Sequence, residues 1–135
     1  MKVNYDGRIF RSVSNSGNGD VDNDTIFKYH QVDDIVMATY SGGAIRFGTL
    51  IATVSPEGTL DMRYSHVNKE GQLATGICSS EPEVLPDGRI RLHEEWQWTS
   101  GDLSEGSSVI EEIGRYPGES GFDTADDIET VEPAV

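Results

Sequence analysis

The sequence predicts an all-β fold: an antiparallel up-and-down meander of about eight strands, closed or nearly closed into a lipocalin-like barrel. Three observations lead there. Apolar residues alternate with period two along most segments, which marks a strand with one buried face. Turn-like glycine pairs recur at near-regular intervals, and from Gly43 onward the gaps are 15, 13, 17 and 13 residues. Each gap holds one strand and its turn. No segment sustains a 3.6-residue period with caps, so no helix is expected to cover a flat sheet. Closing the meander removes its edges instead.

The strands are expected at 8–14, 25–32, 35–41, 44–54, 59–68, 72–80, 89–99 and 105–113. Residues 2–5 are expected to pair with the start of the first strand. In the second strand Phe27 and Tyr29 oppose Lys28 and His30. The fourth holds the longest apolar run, Thr49–Val54, far short of the ~20 residues that span a bilayer. In the fifth, Leu60, Met62, Tyr64 and His66 share a face against Asp61, Arg63, Ser65 and Val67. In the seventh, Ile90, Leu92, Glu94, Trp96 and Trp98 share one. The turns carry Asp6-Gly7, Gly42-Gly43, Glu57-Gly58, Glu70-Gly71, Asp87-Gly88 and Ser100-Gly101, with Pro56 and Pro86 nearby. A faint repeat, Tyr40-Ser41 before Gly48 and Tyr64-Ser65 before Gly71, reads as recurring hairpin chemistry.

The chain has 135 residues and a net charge of −14. Residues 1–114 read as the barrel domain and 115–135 as an acidic, flexible C-terminal tail. A strap built on Phe122 and Ile128 is the alternative for the tail. Five of the fourteen net negative charges lie in 115–135, so the acidity is not confined there. Such a charge argues against nucleic acid, which is held by Lys and Arg, and against anionic membranes. Seven of the ten basic residues are Arg, and acidic excess with scarce Lys suits a medium of molar salt. An ordinary acidic protein is the other reading. No apolar leader follows Met1, and the single Cys78 offers no internal disulfide, so a cytoplasmic location is expected.

The inward faces are unusually polar. By parity they bring Tyr40, Tyr64, His66, Glu94, Trp96, Trp98, Ser108 and Glu112 inside, with Ser80 and Cys78 beside them. A buried carboxylate needs a partner, a wet cavity or a raised pKa. An eight-stranded barrel either fills with side chains or holds one small ligand. Those eight residues are therefore the candidate ligand site, suited to a polar ligand with a donor or cationic group. Two alternatives stay open. One is an interaction module, a homodimer through barrel staves or the tail, motivated by outward Ile77 and Val109. The other is an enzyme using Glu94 and His66 as acid and base. Asp20, Asp22 and Asp24 alternate like the start of a calcium loop but lack its Gly and terminal Glu. Only His66 of the three histidines turns inward, so no metal site is expected, and no cofactor motif is present.

The stretch Leu85-Pro-Asp-Gly-Arg-Ile-Arg-Leu-His-Glu94, with Glu95-Trp-Gln-Trp98, Tyr40-Ser-Gly-Gly43 and Arg63-Tyr-Ser-His66, resembles a family of short prokaryotic proteins. These often carry the label "N-acetylglutamate synthase". The resemblance covers about residues 3–113 and implies an all-β fold. The label names an acetyl transfer, for which an enzyme of the usual type needs a pyrophosphate loop at a helix start. No such helix is predicted, and the resemblance carries no catalytic residues to this chain.

Overall fold

The computed structural model describes residues 3–17 and 19–116. Eight antiparallel strands form a closed barrel in sequence order, β1 pairing with β8. They are β1 (Arg8–Asn15), β2 (Ile26–Val32), β3 (Ile35–Gly42), β4 (Ile45–Val54), β5 (Leu60–Asn68), β6 (Leu73–Val84), β7 (Ile90–Trp98) and β8 (Glu105–Arg115). The all-β barrel read from periodicity is the fold observed, and seven of the strands lie within two residues of their expected bounds.

β6 is the exception, running four residues past position 80. Pro82 argues against a strand there, since proline lacks the N–H of a ladder. β5 ends its pairing with β6 at Leu60↔Ser80, so β6 is an edge on that side from Glu81 onward. Pro82 pairs with Leu92 of β7 and leaves its missing donor at the unpaired edge, where proline is tolerated.

Residues 3–5 are not a strand. They fold under the barrel as a plug at the end carrying the β2–β3, β4–β5 and β6–β7 turns. Tyr5 is fully buried, and its hydroxyl donates to the Gly58 carbonyl at 2.5 Å. Its amide donates to Gln31 Oε1, and Asp6 Oδ1 accepts from the Gln31 amide. Beside the plug, Arg8 Nη1 meets Glu112 Oε1 at 2.6 Å, and both side chains are nearly sealed from solvent. Glu112 also accepts from the Ile90 amide at 3.0 Å and from Arg115 Nε at 3.3 Å. This end is a solid, cross-braced floor.

The core follows the alternation. Phe10, Tyr29, Val36, Leu60, Leu92 and Ile110 are buried inside, while Arg11, Lys28, Met37, Asp61, His93 and Ser107 face out. Acidic groups on the outer face pair locally, as Glu111 does with Arg89 and Arg91. Those guanidinium groups hold the Glu111 carboxyl below its usual range. The tail beyond Tyr116, including the strap on Phe122 and Ile128, lies outside the described residues.

Candidate functional site

Towards the opposite end of the barrel, Gly19, Asp20 and Val21 of the loop between β1 and β2 border a partly open cavity of about 50 Å³. A single water needs about 10–15 Å³, so the space takes a few waters or one small polar group. Its lining draws on most of the barrel: Phe27, Tyr40, Leu50, Tyr64, Cys78, Trp96 and Ser108 contribute from seven different strands.

Glu94 is its polar floor. The carboxyl is packed among protein groups, and the residue as a whole is half-buried and borders the cavity. Ser80 Oγ donates to Glu94 Oε2 at 2.9 Å and Ser108 Oγ to Oε1 at 3.1 Å. The register explains the triad: Ser80 and Ser108 are the cross-strand partners of Glu94 on β6 and β8, so all three point inward at one level. Burial pushes the Glu94 carboxyl up to about 7, and the two hydroxyls only partly offset it.

Tyr64, His66, Trp96 and Trp98 form the walls. Trp98 meets Tyr64, His66 and Trp96 edge-on, with ring centroids 5.6–5.7 Å apart. His66 is anchored at both nitrogens. Nδ1 lies 3.0 Å from the Tyr40 hydroxyl and Nε2 lies 3.0 Å from Asp20 Oδ2. An ionised Asp20 only accepts, so Nε2 carries the proton. Asp20 thereby ties the β1–β2 loop to the barrel wall. The same loop is held at its far end, where Thr25 Oγ1 donates to the Gly42 carbonyl and Asp22 Oδ1 accepts from the Asp24 amide. The alternating aspartates of this loop thus act as separate turn and anchor groups.

Seven of the eight sequence-derived site residues come together here: Tyr40, Tyr64, His66, Glu94, Trp96, Trp98 and Ser108. Glu112 does not. It sits at the floor end, engaged by Arg8, Arg115 and the Ile90 amide, because its inward parity places it one layer from the turns rather than at mid-barrel. Glu94 and His66 share the cavity but no hydrogen bond, each being held by its own partners. Cys78 lies 3.6 Å from Ser80 Oγ, and burial with the nearby Glu94 charge pushes its thiol well up, which makes it a poor nucleophile.

The role of three glycines was not read from the sequence. Tyr40 pairs with Gly48, Tyr64 with Gly76 and Trp96 with Gly106, each directly across a hairpin. In each pair the ring lies over the glycine, and a Cβ there would overlap it. The seats let the aromatic walls fold down onto the sheet and leave the centre open. A glycine inside a strand, rather than in a turn, was the available signal. Asp20, by contrast, gave none, since its partner is 46 residues away.

The raised Glu94 carboxyl has a measurable consequence. A group with a raised folded-state pKa stabilises the fold fully below its unfolded value, near 4.5, and that stabilisation is lost as pH rises through about 7. Ligand-free protein is therefore expected to gain up to about 3 kcal/mol between pH 8 and pH 4.5 relative to Glu94→Gln, at about 1.4 kcal/mol per pKa unit. Denaturant titrations of both proteins check it, and parallel pH curves would contradict the placement of the carboxyl.

A family model described as "Avidin-like protein" matches residues 3–113. No curated protein and no solved structure matches the chain. The matching description says nothing of acetyl transfer.

Proposed function

The chain belongs to the avidin-like family, a family of small-ligand-binding barrels, and from that premise we propose that the cavity over Glu94 is where its ligand is held. The observation that carries this is the buried carboxyl itself. Glu94, Ser80 and Ser108 form a polar cluster at the centre of an apolar interior. A core built for stability alone gains by replacing such a group with a packed apolar one. Here the cost of burial is retained, and Glu94 and Ser108 border open space between tryptophan and tyrosine walls. A few convergent polar groups in an aromatic-lined recess is the usual make-up of a small-molecule site. The β1–β2 loop, fastened by Asp20 to His66, then serves to cover the bound molecule.

Avidin-like proteins typically form oligomers. For this chain the proposed contact is a homodimer through the outer faces of β3 and β4. Ile35, Met37 and Ile51 are 40–53% exposed there, and Met37 and Ile51 are cross-strand neighbours. Ile77 and Val109 also face outward but are half covered.

One measurement reads both statements. Native mass spectrometry of the freshly purified protein is expected to show two copies, each carrying a small co-purified mass. Glu94→Gln should release the mass, and Ile51→Glu should leave single copies that keep it. A bare barrel whose tryptophan fluorescence no compound in a fragment library perturbs would remove the ligand site. Monomers in the wild type would remove the dimer alone.

A further inference from the structure

We infer that the group this cavity receives is an organic cation with N–H donors, such as an amidinium, a guanidinium or a primary ammonium, seated on Glu94 with its carbon framework against Trp96, Trp98 and Tyr64. The inference rests on the cavity being the ligand site and specifies the chemistry that site selects.

Charge is the first argument. The lining holds two carboxyl groups, Asp20 and Glu94, and neither Lys nor Arg. His66 is its one basic side chain, and Nε2 of that ring is already committed to Asp20. Among the described residues Glu94 therefore faces the cavity with no counter-ion, its side-chain partners being neutral hydroxyls. An anionic group at this floor would meet a like charge in a low-dielectric recess, where repulsion is strong.

Hydrogen-bond valence is the second. A carboxylate offers about four acceptor sites, and the two serine hydroxyls occupy one on each oxygen. Those hydroxyl protons are spent on Glu94, so Ser108, the serine that borders the cavity, has only lone pairs left to offer. The floor is thus a set of acceptors, and the group that completes it must donate more than once. Planar N–H forks match such a floor best, because two parallel donors reach both carboxylate oxygens.

The walls supply the third. Trp and Tyr rings attract a cation through their negative faces, and the attraction grows where water is excluded. Three such rings stand around one unpaired carboxyl. A neutral donor would gain from the acceptors but from neither the charge nor the rings.

The groups packed around Glu94 decide what titrates. Tyr29, Tyr40, Tyr64 and Cys78 are all pushed upward by burial and stay neutral near pH 7. Asp20 and His66, which also line the cavity, are bonded to each other, and Glu94 is the group that burial brings into this range. Burial lifts the Glu94 carboxyl to about 7, so lowering the pH protonates the seat and expels a cation.

The test uses the full chain with methylguanidinium and N-methylurea, which share shape and size but differ in charge. Binding is read by calorimetry at pH 8 and pH 6, for the wild type and Glu94→Gln. Methylguanidinium is expected to bind at least ten times tighter than N-methylurea at pH 8. That preference should shrink about tenfold by pH 6, following the ionised fraction of Glu94. Glu94→Gln should abolish the preference while still binding N-methylurea. If that variant does not fold, the pH dependence in the wild type carries the test alone. Equal or tighter binding of N-methylurea by the wild type overturns the cation and leaves the cavity as a ligand site. Silence of both probes, with tryptophan fluorescence unchanged, overturns both readings together.

Discussion

Glu112→Ala is expected to destabilise the protein by about 3–5 kcal/mol, the usual cost of removing one partner of a buried ion pair. The loss has two parts. Arg8 keeps its charge at 9% exposure, with its Nε on the Asn4 carbonyl and no carboxylate for Nη1. The Ile90 amide loses its acceptor where no water reaches it. Glu112 lies on β8, Arg8 on β1 and Ile90 on β7, so one carboxylate braces the seam that closes the barrel. Arg8→Met combined with Glu112→Leu should recover most of the loss, because matched apolar groups remove the unpaired charge along with the pair. Denaturant unfolding of the three proteins checks this. A drop under 1 kcal/mol in the single variant would mean that the floor is wet. Residual ligand binding in the folded fraction should be unchanged, since the pair is remote from the cavity.

The second large effect falls on the cavity itself. Gly76→Ala places a methyl group into the Tyr64 ring and within 2.8 Å of the Gln97 carbonyl oxygen. The carbonyl belongs to the β6–β7 ladder and cannot withdraw, so the ring must leave its seat. Overpacking of this kind costs about 1–3 kcal/mol. The ring can move only into the cavity or out over the rim, and either way one wall of the site is lost. Ligand affinity is expected to fall at least tenfold, a larger effect than the same change at Gly114, where an added Cβ meets nothing within 4 Å. Pairing Gly76→Ala with Tyr64→Leu should restore stability but not binding. That non-additivity separates a steric seat from a general weakening of β6. If Gly76→Ala behaves like Gly114→Ala, the seat has no role.

Both residues show where sequence reasoning was strong and where it was not. Period two placed Glu94 and Glu112 on inward faces alike, and both face inward. Parity gives the face and is silent on height. Only the register of β7 with β6 and β8 puts Ser80 and Ser108 level with Glu94, and only the closure of β1 against β8 places Arg8 beside Glu112. The glycine spacing located the turns correctly. It assigned Gly43 and Gly88 to turns but did not show that Gly48, Gly76 and Gly106, which lie inside strands, seat rings. A glycine's use depends on what lies across the strand from it, and that partner is set by pairing rather than by its own neighbours.

The sequence by itself determined the all-β class, the strand count, the order of the meander and the inward set from Tyr40 to Ser108. These follow from local chemistry, since alternation and turn residues act within a few positions. The tertiary structure alone decided that one end is a braced floor and that the other holds a partly open cavity. It also decided that Asp20 reaches His66, and that Glu94 has hydroxyl partners but, among the described residues, no cation. Each of these joins segments distant in sequence through the closure of the barrel. Closure fixes which side chains share a level, and no periodicity along the chain encodes that.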